Sequence, residues 1–346
     1  MYEHMDSLEN KNVLVTGGCG SIGSRLVKKI LHHNPAVIRV LDNNEEALFG
    51  LENELNEEAP VRYLLGNIRD QSRLELAMEN IDVVFHAAAL KHVTLNEYNP
   101  FEAVRTNVEG TQNLIQAALE EEVESFVGVS TDKASNPTSV MGATKLLSER
   151  LIIAANTYKG RRETRFGCVR FGNVLGSSGS VVPIFLEQIR SGGPVTVTDP
   201  EMTRFIMPIG EAAELVLEAN ETMTSGEIFV LKMPAFRVVT LAEAMIEKYG
   251  PRFGYKPHNI EREIVGARPG ERVHEKLISS DECSLARELE NMYVILPQID
   301  VPGYDELNYA SANRIETEYT SEDAELMPKD KIINSVDSVV DTTAPE

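Results

Sequence analysis

Three consecutive side chains able to handle protons, Thr131, Asp132 and Lys133, follow a β-branched run at residues 125–130. A hydroxyl can hold or relay a proton, and a carboxyl and an amine can each give or take one. A single pocket can push those last two groups toward opposite roles. An amine acts as a base only when neutral, so Lys133 needs desolvation or a nearby positive charge to lower its pKa. Lys145 lies further on, inside a predicted helix over 140–158. A solvated Asp-Lys pair on a loop is the plain alternative. The position favours chemistry, because open α/β sheets bind ligands at the carboxyl ends of their strands.

A second constellation precedes this one. Thr16-Gly17-Gly18-Cys19-Gly20-Ser21-Ile22-Gly23 follows a predicted strand and opens a predicted helix. Gly17 permits a tight turn, Gly20 lets backbone approach a pyrophosphate, and Gly23 lets the helix pack close to the sheet. Ser21 and Ile22 begin the helix whose N-terminus faces the negative charge. A lone glycine motif is weak, but here an acidic residue, Asp42, closes the second strand. A carboxylate there accepts hydrogen bonds from ribose hydroxyls and repels a 2′-phosphate. No arginine follows in Asn43-Asn44-Glu45. NAD is therefore favoured over NADP. Asn67 and Ile68 are placed to contact the adenine, and Ala87 and Ala88 would let the dinucleotide lie close to backbone.

Both motifs need a scaffold that brings strand ends together. Strands are expected at 12–16, 37–42, 61–65, 82–86, 125–130 and 164–170, with helices at 21–33, 45–55, 101–122 and 140–158 between them. Strict alternation implies βαβ units and a Rossmann-like, doubly wound parallel sheet in an α/β protein. After Gly172 the rhythm loosens, with a helix at 182–191 and a short strand at 195–197. Residues 1–172 read as mainly the NAD-binding domain and 173–325 as mainly a smaller substrate-binding lobe. Residues 326–346 read as an acidic, partly disordered tail.

The layout of Thr131, Met141 and Lys145 resembles the extended short-chain dehydrogenase/reductase superfamily, most of whose members carry a tyrosine at the place of Met141. Several strings narrow the resemblance: His86-Ala87-Ala88-Ala89-Leu90-Lys91-His92-Val93, Ser130-Thr131-Asp132-Lys133-Ala134, Met141-Gly142-Ala143-Thr144-Lys145 and Arg170-Phe171-Gly172-Asn173-Val174. Asp199-Pro200-Glu201-Met202-Thr203-Arg204-Phe205 and Arg268-Pro269-Gly270-Glu271 extend it into the second lobe. Together they look like the UDP-N-acetylglucosamine 4,6-dehydratase family, soluble and of the capsule or polysaccharide type. The similarity covers residues 10–325, and one branch of that family carries methionine at this place.

That resemblance implies a reaction. NAD+ takes a hydride from C4 of a UDP-linked sugar, the C5 proton becomes acidic, the C6 hydroxyl leaves, and the hydride returns to C6. The cofactor is regenerated in each turnover. Lys133 is implied as the C5 base, Asp132 as the acid for the C6 hydroxyl, Thr131 as the holder of the C4 hydroxyl, and Lys145 as a ligand of the nicotinamide ribose. Lys91, Asn173, Arg204, Arg268 and Glu271 are the residues chosen for the substrate, the arginines pairing phosphate oxygens. Either arginine could instead form a structural ion pair. Glu97 and Asn107 resemble positions near the site. A nucleotide-sugar 4-epimerase and a non-catalytic NAD-binding scaffold are the competing readings. Epimerases normally use the tyrosine missing here, and a scaffold has no need of Thr131-Asp132-Lys133.

Bulk properties fit an enzyme of small molecules. The net charge of −21 repels nucleic acid and anionic membranes. No apolar run is long enough to cross a bilayer, and no secretory pattern opens the chain. The expectation is a cytoplasmic protein. Cys19, Cys168 and Cys283 are scattered without metal-ligand spacing, so no metal site is expected. A homo-oligomer is expected to form through the helices at 101–122 and 140–158.

Overall fold

A computed structural model describes residues 7–56, 59–177, 180–267 and 270–340. Six parallel strands form its first part: β1 (Asn12–Thr16), β2 (Val37–Asp42), β3 (Val61–Leu65), β4 (Val83–His86), β5 (Ser125–Thr131) and β6 (Arg165–Phe171). They run in the order β3-β2-β1-β4-β5-β6, so the chain reverses direction across the sheet between β1 and β4. β1 and β4 are apolar at nearly every position and buried on both faces, as helix-covered parallel strands must be. Helix α1 (Ser21–Ile30) buries Leu26, Val27 and Ile30 on one face, and leaves Lys28 and Lys29 at its carboxyl end. The α/β, doubly wound parallel architecture read from the alternation of elements is what the chain adopts.

The sheet does not stop at residue 172. Strand Ile228–Leu231 pairs parallel with β6, and strands Met292–Ile295, Ala286–Glu288 and Asn313–Arg314 add antiparallel beyond it. The second half of the chain thus builds part of the first sheet as well as a smaller lobe. That lobe packs short strands and helices around Phe185, Ile189, Val195, Leu241 and Met245. Its last element lies in the stretch expected to be a partly disordered tail. Residues Lys329–Val340 form a helix whose Ile332 and Val336 are buried in the lobe's core. Asp337 accepts a hydrogen bond from Tyr249 at 2.6 Å and pairs with Lys248 at 3.2 Å. The apolar spacing 332, 333, 336 and 340 explains the docking, since it lines one helical face. Residues 341–346 of that expected tail lie outside the described residues.

Two further departures lie near the strand ends. The loop after β4 contains a helix, Val93–Tyr98, that local pattern did not suggest. The expected helix at 101–122 contains a wider π-turn at Arg105–Glu109. Such turns are rare and occur frequently at functional sites. Among the described residues no helix is long and apolar enough to cross a membrane.

One buried cation fastens these parts. Arg170 of β6 is fully enclosed; it donates to Glu149 at 3.0 and 2.7 Å, to Glu282 at 3.0 and 2.9 Å, and to the Leu277 carbonyl at 2.8 Å. Removing one partner of a buried ion pair leaves uncompensated charge. Arg170→Met is expected to destabilise the protein by about 3–5 kcal/mol, read from the midpoint of chemical denaturation. An unchanged midpoint would show that the two carboxylates do not depend on it.

Candidate active site

The glycine loop runs from β1 into α1 under close constraints. Gly17 has a positive φ of 65°, and a Cβ there would lie 2.6 Å from the Ala88 backbone. A Cβ on Gly23 would lie 2.1 Å from the Gly17 carbonyl, so α1 can approach the turn only with glycine in place. Gly20 caps the helix and donates its N–H to the Gly17 carbonyl at 3.0 Å, and Ser21 and Ile22 follow in the first turn. Asp42 faces this loop from the end of β2, accepting from the Cys19 N–H at 3.0 Å and the Asn44 N–H at 3.1 Å. Ala87 donates to the Thr16 carbonyl at 3.0 Å, which lays the small-residue run alongside the loop. This cradle of glycine, helix terminus and carboxylate fits a dinucleotide. Asn67 spends its side-chain oxygen on the Arg69 N–H, and the Ile68 side chain is buried against Gly110.

The proton-handling groups sit one strand further along the sheet. Thr131 ends β5, and a single 3-10 turn, Asp132–Ala134, follows. Helix Val140–Tyr158 is capped by Ser139 and crowds this turn: a Cβ on Gly142 would lie 2.3 Å from the Lys133 carbonyl. Glu97 accepts from the Val140 N–H at 2.7 Å, so it serves the start of that helix. Thr131 Oγ1 donates to Asp132 Oδ1 at 2.6 Å. Lys133 Nζ donates to both Asp132 oxygens at 3.1 Å and reaches Asn173 Oδ1 at 3.4 Å. Met141 is buried, and Lys145 Nζ donates to the Val129 carbonyl at 2.6 Å. Burial lowers the pKa of that amine. Asn107, in the π-turn, brackets the Leu90 backbone through both its N–H and C=O and also donates to Thr144. The turn thereby ties the loop after β4 to the helix that carries Lys145.

Sequence reasoning missed Glu275. Its carboxylate is buried, and Oε1 accepts from Lys133 Nζ at 2.9 Å and faces Arg204 Nε at 3.3 Å. It arrives from a distant stretch of chain with no motif around it; the one cue was its place four residues beyond Glu271. Burial and the Asp132 charge push its pKa up to about 7. Asp132 goes the other way. Burial alone would raise it, but the Lys133 ammonium, the Thr131 hydrogen bond and the neighbouring Glu275 carboxyl hold it below the usual carboxylate range. Lys133 reverses the lowering that the expected role of a base would require. Burial would depress it, but Asp132 and Glu275 outweigh that and hold it above the ordinary lysine value.

The substrate candidates divide. Asn173 reaches the centre, and Lys91 is exposed on the loop after β4. Arg204 spends its donors on the carbonyls of Thr203, Arg272 and Val273, besides facing Glu275, so it anchors the loop that delivers Glu275. Glu271 is half-buried on that loop, and Arg268 lies outside the described residues. Arg272, not foreseen, donates to the Ser135 carbonyl at 3.1 Å and to Thr138 at 3.3 Å, and its charge acts on both Asp132 and Glu275.

A dinucleotide cradle beside a threonine, a proton-transfer pair and a buried lysine defines an NAD(P)-dependent enzyme of the extended short-chain dehydrogenase/reductase type. The chain belongs to the family described as polysaccharide biosynthesis protein, which matches residues 13–297. A UDP-N-acetylglucosamine 4,6-dehydratase (inverting) of Campylobacter jejuni is 43% identical over 292 residues, covering 84% of each chain. An uncharacterised membrane protein of Methanocaldococcus jannaschii is 56% identical, covering 94% of each chain. The crystal structure of Pen from Bacillus thuringiensis superposes with a TM-score of 0.88 at 40% identity, over 98% of this chain and 99% of that one. DesIV, a dTDP-glucose 4,6-dehydratase of Streptomyces venezuelae solved with NAD bound, gives 0.65 at 25% identity, over 76% and 86%.

Gly17→Ala tests the cradle. It imposes strain at a positive φ and a clash with Ala88, and should lower copurifying dinucleotide at least tenfold, about 1.4 kcal/mol of binding. Absorbance of the acid-released nucleotide measures it. Full retention would place the cofactor elsewhere.

Proposed function

We propose that this chain is an NAD-dependent UDP-N-acetylglucosamine 4,6-dehydratase that forms a UDP-linked 4-keto-6-deoxy N-acetylhexosamine with inversion at C5. The observation that carries this reading is the hydrogen-bonded set Thr131–Asp132–Lys133 at the carboxyl end of β5. An epimerase that only oxidises C4 and reduces it again needs no second acid–base pair there. The Campylobacter relative, whose name states the inverting dehydratase reaction, supports the substrate and the stereochemistry. Asp42 at the end of β2 favours NAD, because its carboxylate disfavours a 2′-phosphate.

The bound nicotinamide supplies hydride acceptance from C4 and return to C6. The protein supplies the rest. Thr131 orients the C4 hydroxyl and passes its proton toward Asp132, the partner it already contacts. Lys133 takes the C5 proton, which the neighbouring C4 ketone acidifies. Asp132, beside it, protonates the departing C6 hydroxyl once it has itself received a proton. Lys145 holds the ribose of the nicotinamide, while Asn173, Arg268 and Glu271 bind the UDP moiety. The exposed faces of Phe101, Val104, Leu147 and Tyr158 support a homo-oligomer built through those helices.

Mass spectrometry of the purified protein with UDP-N-acetylglucosamine in deuterium oxide tests the reaction, with no cofactor added. The expected product is lighter by one water and gains one carbon-bound deuteron at C5. Substrate mass retained together with a C4 epimer overturns the dehydratase. Lys133→Ala is expected to lower turnover by about 10²–10⁴-fold while retaining bound NAD. Sedimentation at micromolar concentration is expected to give a dimer or larger species, and a monomer throughout would remove the oligomer.

A further inference from the structure

Lys133 has two carboxylate partners, only one of which sits in the proton-transfer motif. Its Nζ lies 3.1 Å from both Asp132 oxygens and 2.9 Å from Glu275 Oε1. Glu275 is buried, delivered by a loop that Arg204 and Arg272 anchor to the rest of the site. Its backbone is fixed on both sides: its N–H donates to Ser321 Oγ at 2.9 Å, and its carbonyl accepts from the Ser321 N–H at 2.8 Å. One carboxylate oxygen is engaged with Lys133 and Arg204, but the other, Oε2, is buried with no hydrogen-bond partner. A buried acceptor left without a donor is costly. A proton on Oε2, shared with Asp132, removes that cost.

We propose that Glu275 is a positioning residue for the reaction, acting through Lys133. Its ionised form fastens the Lys133 ammonium, and its protonated form, bridged to Asp132, releases Lys133 to act as a base. The exchange balances within the site. The Lys133 N–H bond breaks, an O–H bond forms on Glu275, and the charged pair becomes a neutral amine and a neutral carboxyl. The charged groups facing this pair are Asp132 on its own turn, Arg204 on the strand Thr203–Met207, and Arg272 on the loop. None of these removes the second negative charge from Lys133, so Glu275 decides it. The position of Glu275 near neutrality agrees with this role.

The inference rests on the dehydratase reading for the word "base", so its test reads Lys133 without turnover. The holoenzyme is labelled with trace acetic anhydride across pH, and acetylation of Lys133 is followed by mass spectrometry. Its side chain is 31% exposed, within reach of a small reagent. Glu275→Gln keeps the shape and removes the charge, and is expected to lower the Lys133 labelling midpoint by about one pH unit, the low end for an opposite charge at this distance. Where that variant does not fold, Glu275→Asp draws the carboxylate back by one methylene and should move the midpoint in the same direction. An unmoved midpoint in a folded variant overturns the inference. A lowered midpoint with no matching change in the pH dependence of C5 deuterium uptake upholds it and counts instead against Lys133 as the C5 base.

Discussion

The buried Arg170 guanidinium is the contact on which the rest of the structure depends. It joins β6 to the helix carrying Lys145 through Glu149, and to the chain just beyond Glu275 through Glu282 and the Leu277 carbonyl. An arginine with no solvent contact is stable only when its donors are matched by acceptors in fixed geometry, and its planar fork suits two carboxylates at once. The residues so held are the ones that must not drift. Lys145 lies one helical turn from Glu149 on the same helix, and Glu275 lies two residues before Leu277. The ion triad thus sets the spacing between the sheet and the loop that completes the reaction centre.

Within that centre the governing constraint is charge balance. Asp132 and Glu275, two buried carboxylates, face Lys133, with Arg204 behind Glu275. Two like charges this close cannot both ionise freely, so one is driven down and the other up. The same carboxylates keep Lys133 charged in the resting protein. In the proposed reaction the base is needed only after a preceding oxidation, and a Lys133 that starts protonated suits that order.

Much of this was legible in the sequence, for a physical reason. The glycine loop, Asp42 and the Thr131-Asp132-Lys133 turn act through spacing along the chain, and β1 to β6 announce themselves by apolar runs and by the alternation of βαβ units. Glu275 and Arg272 gave no such signal, because their partners in the turn after β5, Lys133 and Ser135, stand more than a hundred residues away. The strands at 228–231 and 292–295 were hidden likewise, since a short apolar run does not say which sheet it joins. The helix in the tail was hidden for another reason. Its acidity suggested solvation, but the apolar stripe of Ile332 and Val336 outweighs the charges, which lie on the other faces of the helix. The π-turn at Asn107 has no local signature, because bracketing the Leu90 backbone is a tertiary demand.

The return of the chain to its first sheet has a consequence for biogenesis. By Phe171 a ribosome has delivered all six parallel strands, yet the neighbour of β6, Ile228–Leu231, is still unmade. Glu282 comes 112 residues after Arg170. At roughly 5–20 residues per second, that interval is on the order of ten seconds. Throughout it the nascent sheet ends in an open strand edge beside a half-compensated arginine, and such an edge pairs readily with another chain. Crowded polysomes and overexpression should therefore be the conditions in which this protein is lost to aggregation, before its reaction centre has ever been assembled.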